Sequence, residues 1–330
     1  MSVSKPSVGA DKPIVADVAQ GALTGRTKQS SLTLDAWRRF KRNKAAVAGL
    51  VFIVILVFLA VAAPLIAPYS YEVQDYGAVT KRPGETKYLL GTDALGRDLL
   101  SRLIYGARVS LSVGVVVQAI IIVIGVPVGL IAGYFGGKID TILMRIVDVL
   151  YAKPNLLFII IIMTFLKAKF QTSSGGIWGP LKALNDATGG LLGVFIGLGL
   201  VSWLTVSRLV RGQVLSLKKK EYIEAARCIG ATDRQIIFRH LLPNTLAVII
   251  VATTLGIPGA ILAEAGISFI GLGVNPPTPS WGSMISDGVE QLRNYPHILI
   301  APGLALSLTV LAFNFVGDGL RDALDPWMKR

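Results

Sequence analysis

The 330-residue chain is 52% apolar, 16% charged and has a mean hydropathy of +0.61, which excludes a soluble domain built on a single core. Its formal charge of +13 does not describe a nucleic-acid surface, because Lys and Arg flank apolar runs and form no aromatic-interleaved patch; topology and anionic lipid account for them. The single cysteine, Cys228, excludes an internal disulfide and reads as a small packing residue.

The composition predicts an all-α, polytopic membrane protein, since apolar runs of about 20 residues recur along the chain. Residues 1–31 are rich in Ser, Lys, Thr and Gly without apolar period and read as a disordered tail. Residues 32–44 suit an amphipathic helix in the membrane interface, with Trp37 and Phe40 toward lipid and Arg38, Arg39, Lys41 and Arg42 toward headgroups. The first span is placed at about 45–66, closed by Pro64 and Pro68. Its apolar run is too long, and the polar stretch ahead of it far too long, for a cleaved signal peptide. A polar outer segment follows, and Asp98 to Arg108 reads as an amphipathic lead into the second span at 109–134. Gly125, Gly129, Gly133 and Gly137, four apart, line one helix face that a neighbouring backbone can approach, unless they ease bending near Pro127.

A turn at Gly136–Lys138 leads to a third span at 142–166, kinked at Pro154, with Arg145 and Asp148 spaced for a local ion pair. The fourth span is placed at 191–210, the fifth at 244–265 and the sixth at 298–316, before a polar tail at 318–330. Between the last two spans, Asn275 to Gly282 is too proline-rich to cross lipid and suits a rigid outer cap. Two thirds of the 33 basic residues fall in segments that this arrangement assigns to the inside, with both termini cytoplasmic.

The charged segment 211–243, between the fourth and fifth spans, dominates the functional reading. Glu221 to Ile229 forms one short helix stopped by Gly230; Thr232, with Gln235 three residues on, opens a second that ends before Pro243. Ala225 and Ala226 beside Glu224 make a nearly flat patch suited to a docking partner. A solvated basic loop that only fixes topology is the alternative on composition alone.

Glu224-Ala225-Ala226, Gly230 and Leu242-Pro243 together resemble the EAA motif of bacterial ABC importer membrane subunits. His240 departs from the aliphatic residue of the general pattern, but His240, Leu242, Pro243 and Asn244 match the peptide-importer branch. Gly91 to Arg102, Ser202-Trp203 with Arg208 to Gln213, Ala263 to Gly273 and Phe313 to Pro326 resemble further segments of the oligopeptide and dipeptide permeases' second membrane subunit. The resemblance implies a type I ABC importer permease fold and a place in an ATP-driven importer of peptides, oligopeptides favoured. The same machinery carrying dipeptides, nickel or another small solute is the nearest alternative. It also implies the partners: a homologous permease subunit forming a heterodimer, two ATP-binding subunits holding ATP and Mg, and an extracytoplasmic peptide-binding protein. The location implied is the inner membrane of a bacterium or archaeon. In that assembly Glu221, Glu224, Ala225, Ala226, Gly230, Ala231, Asp233, Arg234, Leu242 and Pro243 face the ATP-binding subunit. Glu264 and Trp203 stand as candidates for the translocation path or gate, with a role at the subunit interface the other reading of Glu264.

Chemistry of the chain's own is not expected. Gly136-Gly137-Lys138-Ile139 lacks the hydroxyl and first glycine of a phosphate-binding loop, and His240 and His297 lie in separate segments, so no metalloprotease pair forms. No bound cofactor, metal or nucleic acid is expected. An ion-coupled carrier would need paired ionisable groups within the spans, and none is apparent.

Overall fold

The computed structural model describes residues 32–172 and 175–324. The tail at 1–31 and the chain's last six residues lie outside the described residues. Among the described residues the structure is helical, apart from one isolated bridge between Thr92 and Asp98. The helices of eight residues or more are α1 (Leu32–Arg42), α2 (Lys44–Val61), α3 (Leu99–Phe135), α4 (Gly137–Ala152), α5 (Asn155–Thr172), α6 (Trp178–Ala187), α7 (Leu192–Leu217), α8 (Glu221–Cys228), α9 (Leu242–Phe269), α10 (Trp281–Gln291) and α11 (His297–Leu324). Six helical stretches are long and apolar enough to cross a membrane: α2, α3, α5, α7, Asp233–Phe269 and α11. Val54, Ile55, Phe58 and Val61 on α2 and Leu156, Leu157 and Ile161 on α5 are exposed, as lipid-facing side chains are.

The α3–α7 seam is the most extensive packing in the chain, and the glycine face makes it possible. A Cβ at Gly125 would stand 2.8 Å from the Trp203 carbonyl oxygen, at Gly129 2.5 Å from that of Ser207, and at Gly133 2.7 Å from Val214 Cβ. Backbones this close replace the hydrophobic drive that lipid does not supply. Gly137 has left the face. The helix ends at Gly136, and Gly137 opens α4 with nothing near its would-be Cβ.

Several boundaries differ from the sequence reading, each for a local reason. Asp98 caps α3, its carboxylate accepting from Ser101 N–H at 2.8 Å, so the amphipathic lead and the second span form one 37-residue helix. The segment 142–166 is two helices, because Lys153 adopts extended backbone before Pro154, as the residue preceding a proline does. Asp148 pairs across to Arg208 on α7 at 2.7 Å rather than along its own helix to Arg145. The connection after α5 contains α6, and the proline-rich segment 275–279 leads into α10, whose start Ser280 and Ser283 cap reciprocally. At the chain's end α11 continues through the expected tail to Leu324. Gly317, Gly319 and Ala323 are buried there while Asp318, Arg321 and Asp322 are exposed. Phe40 is also corrected. It is 3% exposed and packs beside Gly319 of α11, leaving Trp37, 48% exposed, as the outward aromatic of α1.

The coupling element as candidate functional site

The charged segment begins inside α7, which carries Arg211 to Leu217, and turns at Lys218 to Lys220 into α8. Glu221 and Glu224 occupy the first turn of α8 and Arg227 its last, each sign complementing the helix dipole. Gly230 adopts φ +83°, and its N–H donates to the Arg227 carbonyl at 2.9 Å while Ala231 N–H reaches the Ala226 carbonyl at 3.0 Å. Those two bonds define a Schellman cap, with glycine where the left-handed conformation is required. The spacing of Ala226, Gly230 and Ala231 is thus the spacing of a helix stop.

Periodicity sorts the α8 side chains. Ile223 (0% exposed) and Ala226 (5%) turn inward, three apart on one face, while Glu221, Glu224, Ala225 and Cys228 face outward. The flat patch expected from the alanine pair therefore rests on Ala225, and Ala226 seats the helix on the bundle. Ile229 and Phe238, 86% and 59% exposed, extend the outward surface with apolar area that the sequence did not single out. The run Ile236-Ile237-Phe238 has no visible facing until its backbone geometry is known.

The second helix does not end before Pro243. Thr232 and Gln235 cap its start reciprocally. Residues Ile236–Leu241 then widen into a π turn that passes directly into α9, with Pro243 exposed in its first turn. The wider turn accommodates a residue that has no N–H to donate and whose ring would crowd the preceding turn. Asn244 Nδ2 donates to the His240 carbonyl at 2.6 Å, which gives the His-Leu-Leu-Pro-Asn stretch a local role. Leu242 is half-buried, Ala231 likewise, and Asp233 and Arg234 are exposed.

Three bonds tie this element to the membrane helices. Tyr134, at the end of α3, donates its hydroxyl to Asp233 Oδ1 at 2.6 Å, and the Arg227 guanidinium lies 5.7 Å from its ring centroid. Lys218 Nζ donates to the Gly133 carbonyl at 2.9 Å, placing a cation on the negative end of α3. Arg211 grips Asp140 of α4 through two nitrogens, at 2.5 and 2.6 Å, and this holds the Asp140 carboxyl below its ordinary pKa. These bonds fasten the segment 211–233 to the end of α3 and to α4. Tyr134, Lys218 and Asp140 lie 71 to 99 positions from most of these partners, and no sequence signal marked them.

Glu264 and Trp203 lie away from this element. Trp203 is 8% exposed within the α3–α7 seam. Glu264 is fully buried: Ser268 donates to its Oε1 at 2.6 Å and Ser110 of α3 to its Oε2 at 3.3 Å. Ser110 also accepts the Trp281 N–H that opens α10. Neither side chain reaches an open surface of this chain in this conformation. Beyond the same end of α3, Arg97 and Arg102 share Asp93 and Asp287 in an ion cluster, joining the Gly91–Arg102 segment to α10.

Residues 125–330 match the family described as the binding-protein-dependent transport system inner membrane component, and residues 31–83 match the N-terminal TM domain of oligopeptide transport permease C. The chain belongs to the family of binding-protein-dependent transport system inner membrane components. It is 43% identical over 297 residues to the oligopeptide transport system permease protein OppC of Haemophilus influenzae, covering 90% of this chain and 89% of that one. To the dipeptide transport system permease protein DppC of Bacillus subtilis it is 43% identical, covering 91% and 87%. To the glutathione transport system permease protein GsiD of Pectobacterium atrosepticum it is 40% identical, covering 89% and 90%. An inward-facing structure of the MetNI methionine ABC transporter superposes with a TM-score of 0.51 at 21% identity, covering 69% of this chain and 98% of that one. That likeness gives the fold, which is the type I ABC importer permease fold.

Proposed function

We propose that this chain is the second permease subunit of an ATP-driven peptide importer, with oligopeptides the favoured cargo. It forms half of the translocation path beside a homologous permease subunit. Two ATP-binding subunits, which hold ATP and Mg, dock on its cytoplasmic side, and an extracytoplasmic peptide-binding protein delivers cargo to the other. Both termini are cytoplasmic, and this chain performs no catalysis.

The observation that carries this reading is the coupling element. It presents Glu221, Glu224, Ala225, Ile229 and Phe238 outward while Lys218, Asp233 and Arg211 bind it to α3 and α4. Closure of the ATP-binding subunits around ATP moves that element, and the α3–α7 seam and the continuous helix from Asp233 to Phe269 carry the displacement across the membrane. Dipeptides are the second reading, supported by equal identity to an oligopeptide and a dipeptide permease. Co-purification of the tagged chain from its native membrane, with vanadate-sensitive ATPase and uptake of labelled peptides assayed together, tests the proposal. Recovery of two ATP-binding subunits and ATP-dependent peptide uptake is expected. A chain isolated alone, with uptake abolished by an ionophore and indifferent to vanadate, would refute it.

A further inference from the structure

Two connections hold α1 beside the bundle. Only Asn43 separates it from α2, the first span, and Asn43 closes both helices: its N–H donates to the Phe40 carbonyl and its Oδ1 accepts from Ala46 N–H, each at 3.1 Å. The second connection is to the end of α11. Phe40 and Ala46 form a buried cluster with Val316 and Ala323, against which Ala36 and Leu320 pack. Gly319 makes room for it, since a Cβ there would collide with Ala46 and lie 3.2 Å from the Phe40 ring.

The opposite face of α1 is uncovered. Trp37, Lys41, Leu34, Arg38 and Arg42 follow one another around about 140° of the helix, away from Ala36 and Phe40, and all five are exposed. Trp37 edges this face, stacked on Phe40 with ring centroids 5.8 Å apart, and Lys41 Nζ lies 5.1 Å from the Trp37 centroid. Beyond Trp37 the face is basic. Arg38 stands 4.0 Å from Asp35, while Lys41, Arg42 and the neighbouring Lys44 have no carboxylate at ion-pair distance among the described residues. Asp318 and Asp322, exposed in the last turns of α11, pair with none of them.

Orienting a span requires only that Lys and Arg lie near its end. It does not require them on one face of a helix, edged by a braced Trp and packed on the last span. That arrangement suits a surface with apolar depth beside negative charge, which is the headgroup boundary of a bilayer. A zwitterionic headgroup balances its own phosphate, so a face of net positive charge gains most from lipids of net negative charge, whose phosphates the guanidinium groups grip through paired N–H donors. We propose that this face of α1 binds anionic phospholipid headgroups of the leaflet on which it lies, and so fastens the end of α11 to that leaflet. The inference needs the chain to be membrane-embedded and is independent of its cargo.

The test is hydrogen exchange of the full chain in nanodiscs, read at the backbone amides of α1, in phosphatidylcholine alone or mixed equally with phosphatidylglycerol. Each basic residue near an anionic surface contributes roughly fivefold to binding. Phosphatidylglycerol should therefore slow exchange across α1 by about tenfold or more in the native chain, and leave α10 unchanged. Salt at about 0.5 M should remove most of that slowing. Arg38→Gln with Lys41→Gln and Arg42→Gln should exchange, in either lipid, as the native chain does in phosphatidylcholine. Arg38→Lys with Arg42→Lys, which keeps the charge, should retain the response. Equal exchange of the native chain in the two lipids would overturn the proposal. So would a glutamine variant that still responds, a lysine variant that does not, or the same slowing in α10, which would mark a change of the whole bundle.

Discussion

Gly230 separates the backbone requirement of the segment 211–243 from the docking role proposed for it. It sits at φ +83° with nothing within 4 Å of where a Cβ would stand. Alanine and tryptophan at this position therefore incur the same backbone cost, about 1–2 kcal/mol for an L residue in the left-handed region, and no clash at Cβ. That corresponds to a roughly five- to thirtyfold loss in the population of the native turn. The two differ only in what protrudes beside Ile229 and Glu224, on the exposed face. The assay is titration of nanodisc-held membrane subunits with purified ATP-binding subunits, followed by uptake. Gly230→Ala should weaken binding about tenfold, and Gly230→Asn, whose side chain tolerates the left-handed region, by less. Gly230→Trp should abolish measurable binding while membrane insertion is retained. If tryptophan and alanine weaken binding equally, this face is not where the ATP-binding subunit docks; if tryptophan binds as the native chain does, the turn itself is dispensable.

Two further outcomes follow from buried and bridging groups. Glu264→Ala strands the Ser110 and Ser268 hydroxyls and opens a cavity, and should cost about 2–4 kcal/mol of stability, against less than about 1 kcal/mol for Glu264→Gln; thermal melts in detergent check the order. The Arg211–Asp140 pair is partly exposed, so its coupling in a double-mutant cycle of Arg211→Gln and Asp140→Asn should be about 1 kcal/mol. Because the folded carboxyl is held below its ordinary pKa of 3.8, that contribution is complete above this value and is lost as pH falls through the lowered one. Cycles at pH 7 and pH 5 should agree, and a coupling already halved at pH 5 would contradict the assignment.

Six membrane-spanning helices and the helix–glycine–helix order of 221–243 were legible in the sequence, though not the break at Pro154, because they rest on local chemistry: run length, and a glycine at the one place a helix stop needs it. The Gly125–Gly133 spacing likewise announced a close helix contact, though not that its partner is α7. Less was legible where a residue's fate depends on what faces it. Ala225 and Ala226 are equivalent in composition, yet only the packing of α8 turns one outward and the other inward. Pro243 reads as a stop until the π turn ahead of it is seen, and Phe40 reads as a lipid anchor until α11 covers it.

The sequence by itself determined which segments are apolar enough to leave water and where the chain must turn, since both follow from the free energy of residues near one another in the chain. Only the tertiary structure decided what the coupling element is fastened to. Tyr134 meets Asp233 across 99 positions, Lys218 meets Gly133 across 85, and Arg211 meets Asp140 across 71. Those pairings depend on helix rotation and register within the bundle, and no periodicity within a single segment encodes them.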